Sequence, residues 1–448
     1  MPRKSVTRRQ VVKMAGAATA AAAAARLAAP RIQKVKAANN QVQYAVIGTG
    51  SRGTYHIRHL NGIDGGRCVA VCDIKEEAVR QAAQTSKDKP QQYKDYREVL
   101  ARKDIDAVII ATPLFAHYPP TRDALLAGKH VFCEKSLVFR PEEVHGLRKL
   151  SGERPKQVLQ TGLQRRYSRF YQAARQMIEK GMLGQVTHVY AQWNRNPGWT
   201  MKPGMWRLYK QYSGGLTAEL ASHQIDVADW MFGSHPEFVV GVGGLDFMKD
   251  GRDVYDNIQL IFKYPQGQKL IYSSICTNKH LPMFGSTRTE FGEMIMGTEG
   301  TIHITVGTDE EPALAMWFYE PGPKKATEPK KEKPAIAGAT LASTGKGSRG
   351  LPVMFEEHLL SGKESFLQKE MKMARLWLYK KGIMVPEEDR NPVDVQLESF
   401  FECCRTGGRP KADLEVGLAD SVAVMLANQS MDEGRRVYFN EIEKMGRG

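Results

Sequence analysis

Beyond residue 42 the apolar positions fall into two regimes. In the first, short runs rich in Val, Ile and Ala are paired with stretches of helical spacing. Runs at 43–47, 68–72, 106–111, 130–133 and 157–162 have the length and β-branched content of strands buried on both faces. Helical stretches at 54–61, 119–127 and 141–150 lie between them. This alternation predicts a doubly wound parallel α/β sheet, with ligand bound at the carboxyl ends of the strands. From Gln164 the rhythm changes. After a helical stretch at 170–180 come strand-like runs at 187–193, 238–245, 258–262, 269–275, 293–296, 301–304 and 313–318. Successive strands without intervening helices predict an open, mostly antiparallel sheet flanked by helices, an α+β arrangement. Residues 353–381 return to an amphipathic helical spacing that places Phe355, Leu359, Phe366, Met373 and Leu376 among its apolar positions.

A chain of 448 residues is too long for one core, so two domains are expected. With 42% hydrophobic and 25% charged residues the composition is that of a globular protein, which excludes a collagen, a mostly disordered chain and a polytopic membrane protein. The net charge of +15 suggests a nucleic-acid binder until it is located. Residues 1–38 hold nine Lys/Arg and no acid, and residues 322–350 hold seven against two Glu, so the rest of the chain is close to neutral. The basic character belongs to a leader and to a flexible Lys/Pro/Gly-rich insertion, not to a binding face, and no nucleic-acid partner is expected.

The leader is excluded from fold reasoning. Thr7-Arg8-Arg9-Gln10-Val11-Val12-Lys13 resembles the twin-arginine export signal, and a mild alanine-rich run from Met14 to Ala25 follows it. That run is shorter than the roughly 20 residues a membrane span needs. Val35-Lys36-Ala37 offers a small-residue cleavage site. The expectation is a Tat signal peptide at 1–38, handled by the Tat export machinery, and a periplasmic or otherwise extracytoplasmic mature protein without stable membrane insertion. Of the six cysteines, Cys68, Cys72 and Cys133 lie in apolar strand-like runs, Cys403 and Cys404 are adjacent, and Cys276 stands alone. With no Cys-x-x-Cys pair and no ligand spacing among the histidines, neither a disulfide scaffold nor a metal site is expected.

The first apolar run leads directly into Gly48-Thr49-Gly50-Ser51-Arg52-Gly53 and then a helix. This is Gly-x-Gly-x-x-Gly in the context that gives it meaning. Gly48 permits the tight turn, Gly50 lets backbone approach a pyrophosphate, and Gly53 allows close helix packing at a positive helix end. The second run ends in Asp73, 20 residues after Gly53. An acid there accepts hydrogen bonds from an adenosine ribose and repels a 2′-phosphate, which favours NAD over NADP. Residues 39–162 are thus read as an NAD(P)-binding Rossmann domain and 163–448 as the second domain.

With these marks the chain resembles the Gfo/Idh/MocA family of NAD(P)-dependent sugar oxidoreductases. The resemblance rests on the glycine loop, on Thr112-Pro113 followed by His117, on Glu134-Lys135-Ser136 in place of the usual Glu-Lys-Pro, and on the segment from Gly214-Gly215 through Glu219 and His223 to Asp226. The ending from Phe400 to Ser430 is similar to the family's C-terminal helices. The resemblance implies cofactor contacts at Gly48, Gly50, Ser51, Arg52, Gly53, Asp73, Thr112, Pro113, His117, Glu134 and Lys135. It implies Lys135 at the nicotinamide and the reacting hydroxyl, His223 as general base, and Glu219, four residues earlier, holding or tuning His223 as the family's aspartate does. The chemistry asks for such a set, since oxidising a carbinol needs a base near neutrality and a cation at the developing alkoxide. Two departures stand out: serine replaces proline after Lys135, and glutamate replaces aspartate at 219. Substrate contacts are expected at Gln164, Arg165, Arg166, Tyr167, Trp206, Arg207 and Asp226, with the aromatic loop 194–199 beside them.

Export constrains the reaction. Little free NAD(H) exists outside the cytoplasm, so such a member is expected to hold its cofactor tightly and restore it each turnover. The leading expectation is an oxidoreductase acting on a sugar carbinol, disproportionation and epimerisation included. A glycosidase working by transient C3 oxidation and elimination is an alternative, and a non-catalytic sugar-binding protein is another. The resemblance also makes 163–448 the substrate and oligomerisation domain and implies a homo-oligomer through the open sheet; a small carbohydrate is the expected partner.

Overall fold

The computed structural model describes residues 41–195, 204–278, 291–305, 314–319, 351–352 and 390–445. The leader expected at 1–38, the insertion expected at 322–350, the helix expected at 353–381 and residues 196–199 of the aromatic loop lie outside the described residues.

The first regime folds as six parallel strands: β1 (Val42–Ile47), β2 (Gly66–Cys72), β3 (Gln91–Tyr93), β4 (Ala107–Ile110), β5 (His130–Cys133) and β6 (Leu159–Thr161). Their order is β3-β2-β1-β4-β5-β6. The reversal falls between β1 and β4, at the glycine loop, where a doubly wound sheet opens a crevice. Every residue of β4 is buried, as a strand covered by helices on both faces requires. Helices Ser51–Leu60, Glu76–Thr85, Tyr96–Ala101, Tyr118–Leu126 and Pro141–Gly152 connect the strands. β3 was not expected, because it is three polar or aromatic residues long and carries no periodicity.

The second sheet has nine strands: β7 (Val186–Trp193), β8 (Phe238–Gly244), β9 (Asn257–Lys263), β10 (Lys269–Ile275), β11 (Phe291–Gly297), β12 (Gly300–Thr305), β13 (Leu314–Tyr319), β14 (Leu351–Pro352) and β15 (Val437–Tyr438). Their order is β14-β13-β12-β11-β7-β10-β9-β8-β15. All neighbours are antiparallel except β7 and β10. β9 alternates buried and exposed residues, so one face meets the core while Val240, Val242 and Ile261 stand on the other.

The chain then returns. Helix Pro392–Thr406 begins at Asn391, whose side chain accepts from the Val393 amide, and ends at Gly407 in the left-handed region. It packs onto the first sheet: Phe400 lies 5.8 Å from Phe132 and Phe401 5.2 Å from Tyr44, ring centre to ring centre. Helix Leu414–Glu433 follows, capped by Asp413, and packs against β6, β8 and the helix Ser222–Phe232. No described helix is long and apolar enough to cross a membrane.

Candidate active site

The glycine loop has the form a dinucleotide needs. Gly48 sits at φ +86°, where a Cβ would lie 2.5 Å from the Thr112 nitrogen. A Cβ on Gly53 would lie 2.0 Å from the Gly48 carbonyl oxygen, so only glycine lets helix and loop approach this closely. Gly50, by contrast, faces open space within 4 Å. It stands immediately before the helix that starts at Ser51, where free amides and the dipole favour a phosphate. Asp73 is turned toward the same loop, one carboxylate oxygen accepting from the Thr49 amide at 2.7 Å and the other from the Lys75 amide at 3.0 Å. These residues fit a dinucleotide.

Arg52 and Glu134 are joined to each other. Arg52 Nε donates to Glu134 Oε1 at 2.8 Å, and His56 Nε2 meets the same oxygen at 2.7 Å. Burial works against a carboxylate here, but the Arg52 charge and the His56 hydrogen bond outweigh it and hold Glu134 well below the usual range. The knot ties the glycine-loop helix to the end of β5, directly before Lys135.

His117 is placed differently from the expectation of a cofactor contact. It is buried, with Nδ1 2.8 Å from the Ser136 carbonyl and Nε2 2.9 Å from the Thr112 carbonyl. Burial lowers the His117 pKa, and a neutral ring donates to one of these two carbonyls, so His117 ties the Thr112-Pro113 turn to the Lys135–Ser136 loop with both nitrogens turned to backbone.

Lys135 crosses to the second domain. Its Nζ donates to the carbonyls of Ala218 at 2.8 Å and Glu219 at 2.9 Å, with the Glu219 carboxylate at 3.8 Å. Those carbonyls belong to a single π-helical turn, Thr217–Ala221, leading into helix Ser222–Phe232. Such turns leave main-chain groups off the α-helical ladder, and they recur at functional sites. Burial lowers the Lys135 pKa, while Glu219 and Glu134 oppose that.

His223 follows the turn. It is 7% exposed, its ring centre is 5.7 Å from that of Trp193, and its Nδ1 has no hydrogen-bond partner. Burial first, then the charges of Lys135 and Arg165, push its pKa well below the usual histidine value. A neutral imidazole beside a buried ammonium is what proton abstraction from a hydroxyl requires.

Glu219 does not hold His223 through its carboxylate, contrary to the expectation from their spacing. Its carboxylate accepts from Arg207 Nε at 3.2 Å and faces Lys135. Two cations capture it, and the π turn takes the pair off the α-helical spacing on which a mutual contact would depend. Arg207 in turn stacks over Trp206, its Cζ 4.4 Å from the ring centre, so Trp206 and Arg207 reach the site through Glu219.

The substrate residues expected after β6 divide. Tyr167 is 1% exposed and packs with Leu163 and Ala412, so it is a core residue. Arg165 is paired with Glu293 of β11, a carboxylate with no exposed side-chain surface that also accepts from the Tyr171 hydroxyl at 2.5 Å. A guanidinium so engaged is an internal tie between domain layers and not a free substrate ligand. Arg166 donates to Asp226 at 2.7 Å, whose second carboxylate oxygen has no partner, as has Oε1 of half-buried Gln164. Arg166, Asp226 and Gln164 therefore keep polar capacity near the site.

Glu293 and Asp420 are buried acids that the sequence did not single out. Glu293 carried a weak signal, a lone acid inside an apolar strand-like run. Asp420 carried none. Among the described residues no group of three or more His, Cys, Asp or Glu could hold a metal.

Residues 42–162 match the family described as an oxidoreductase family with an NAD-binding Rossmann fold, and residues 171–303 match the GFO/IDH/MocA C-terminal domain. The chain belongs to the GFO/IDH/MocA oxidoreductase family. Its first domain is an NAD-binding Rossmann domain. Among curated family relatives, an inositol 2-dehydrogenase/D-chiro-inositol 3-dehydrogenase of Halalkalibacterium halodurans is 30% identical over 200 residues, 44% of this chain and 55% of that protein. A glycosyl hydrolase family 109 protein of a Shewanella species is 30% identical over 194 residues, 40% of this chain and 42% of that protein. The chain thus spans about half the length of the curated relatives it matches. The fold is shared with a levoglucosan dehydrogenase solved with NADH and levoglucosan, at a TM-score of 0.65 and 18% identity, over 89% of this chain and 99% of that one.

Proposed function

We propose that this chain is an exported oxidoreductase that oxidises a carbinol of a sugar or sugar derivative and keeps its NAD through the catalytic cycle. The observation that carries the reading is the closure of Lys135 onto the π turn beside His223: a buried ammonium and a neutral buried imidazole from two domains meet at the carboxyl end of β5. Asp73, turned to the glycine loop, supports NAD over NADP. NAD, held by the glycine loop and Asp73, would supply a hydride acceptor when bound. His223 takes the hydroxyl proton, and its depressed pKa keeps it able to do so at neutral pH. Lys135 spends two N–H groups on the Ala218 and Glu219 carbonyls and has a third to direct at the substrate oxygen as charge develops there. Gln164, Arg166 and Asp226 supply donors and acceptors for neighbouring hydroxyls.

The twin-arginine-like leader supports export, and export supports a cycle that returns the cofactor to its starting state. A second reading, glycoside cleavage by transient oxidation, elimination, water addition and re-reduction, is favoured by the likeness to glycosyl hydrolase family 109 proteins. The exposed face of the second sheet supports a homo-oligomer.

The test is cofactor retention. The chain lacking residues 1–38 is purified and dialysed, then denatured, and released NAD(H) and NADP(H) are quantified. Near-stoichiometric NAD supports a closed cycle and directs the search to sugar pairs and aryl glycosides. A protein that emerges empty and binds NAD weakly overturns the retained-cofactor reading.

A further inference from the structure

Helix Leu414–Glu433 carries an acid that the reading above does not use. Asp420 is 1% exposed, and neither of its carboxylate oxygens has a hydrogen-bond partner. Its neighbours in sequence fix its place. Ser421 Oγ accepts from the Val138 amide at 3.3 Å, three residues beyond Lys135. Gly417 presses so closely on β6 that a Cβ there would lie 2.1 Å from Thr161 Oγ1. Asn428 donates to the Gly214 carbonyl at 3.0 Å, in the loop that leads to the π turn. Asp420 is thus held where the helix passes between the Lys135 loop and the π turn that receives Lys135. The hydroxyls of Ser136, Thr161 and Thr217, on the elements facing this helix, are also buried without partners. Ser136 and Thr217 line one cavity with Val424, one turn beyond Asp420. Buried polar groups left unpaired call for a reason.

We propose that Asp420 is a positioning residue for Lys135, holding a carboxyl behind the ammonium so that the amine meets the substrate oxygen with its proton on. The inference rests on the role of Lys135 given above. Burial drives Lys135 toward the free amine and Asp420 toward the neutral acid, while the charge of each favours the ionised form of the other. Each therefore biases the protonation of the other. Asp226 and Asp229 on helix Ser222–Phe232 face Asp420 and oppose its ionisation, and Arg166 favours it. Around Lys135, Glu219 and Glu134 act with Asp420, and Arg52 acts against them.

The test uses Asp420→Asn, which keeps the shape and removes the charge. Amine-selective labelling of Lys135, followed against pH by peptide mass spectrometry, reads its protonation without any substrate. In the variant the labelling midpoint is expected to move down by about one pH unit or more, and the Lys135-governed limb of the kcat/KM profile to move with it. A labelling midpoint unchanged from wild type overturns the proposal. A shifted midpoint in a protein that turns over no sugar keeps the Lys135–Asp420 link and refutes the oxidoreductase reading instead. Where Asp420→Asn fails to fold, Lys135→Gln gives the reciprocal measurement: the protonated-carboxyl infrared band of Asp420 should persist to higher pH than in wild type, and an unmoved band overturns the link.

Discussion

Arg165 offers the sharpest separation between a substrate ligand and an internal tie. Its side chain is 7% exposed and that of Glu293 is 0% exposed. The guanidinium carbon also lies 5.1 Å from the Phe291 ring centre, 5.6 Å from Tyr171 and 5.7 Å from Trp193. Arg165→Met keeps much of that apolar contact but strands the Glu293 carboxylate, with the Tyr171 hydroxyl its remaining donor of known geometry. Removing one partner of a buried pair costs about 3–5 kcal/mol, because the other charge stays buried. Glu293→Gln leaves the Arg165 charge stranded and should cost about as much. Replacing both, Arg165→Met with Glu293→Leu, removes the charges together and should recover most of the loss. Urea unfolding followed by tryptophan fluorescence reads all three, Trp193 being a local reporter. A stable Arg165→Met variant whose KM for substrate rises tenfold or more would refute this reasoning and return Arg165 to the substrate site.

Other consequences are open to measurement. His223→Asn should retain NAD yet lower kcat by about 10²–10⁴-fold, the range for losing a general base. Because burial depresses the His223 pKa, the neutral form belongs to the fold, and the stability this gives is present above about pH 6.5 and lost as pH falls toward the folded value; His223→Asn should therefore lose less stability than wild type between pH 7 and pH 5 in thermal melts. Gly50→Ala meets no atom within 4 Å and should melt like wild type while binding NAD at least about tenfold more weakly in calorimetry, whereas Gly53→Ala, with its Cβ 2.0 Å from the Gly48 carbonyl oxygen, should be destabilised first. Glu134 is held ionised below its unfolded value, so its contribution is present above about pH 4.3 and lost on acidification. Glu134→Gln should cost about 2–3 kcal/mol at pH 7, with the gap to wild type closing as the pH falls.

The sheet architecture was legible because both regimes write themselves into the spacing of apolar residues. β4 is an uninterrupted apolar run, β5 is one led by His130, and β9 alternates buried and exposed positions with Ile261 as the apolar exception on its outer face. The glycine loop was equally plain, since three glycines at fixed spacing between strand and helix answer one steric demand. Arg165, Tyr167 and His117 were misplaced for a shared reason. A polar side chain near a site in sequence reaches either the ligand or the protein interior, and the choice depends on partners far along the chain: Glu293 for Arg165, Ala412 for Tyr167, the Ser136 carbonyl for His117. Glu219 was misdirected because a π turn cannot be told from an α-helix by spacing alone. Asp420 was invisible for the opposite reason: one acid in a helix of Ala, Val and Leu reads as a solvated position until the helix is seen to be covered on that side.

The return of helix Pro392–Thr406 to the first sheet bears on how the molecule comes to be made. Phe400 and Phe401 cover Phe132 and Tyr44, so part of the face of the nucleotide domain laid down first waits for residues translated long after β6. During translation Ile57, Leu60, Val79 and Ala82 cover only part of that face, and a chain stopped after β6 would carry the rest bare into solution, with the aggregation hazard of an unburied apolar surface.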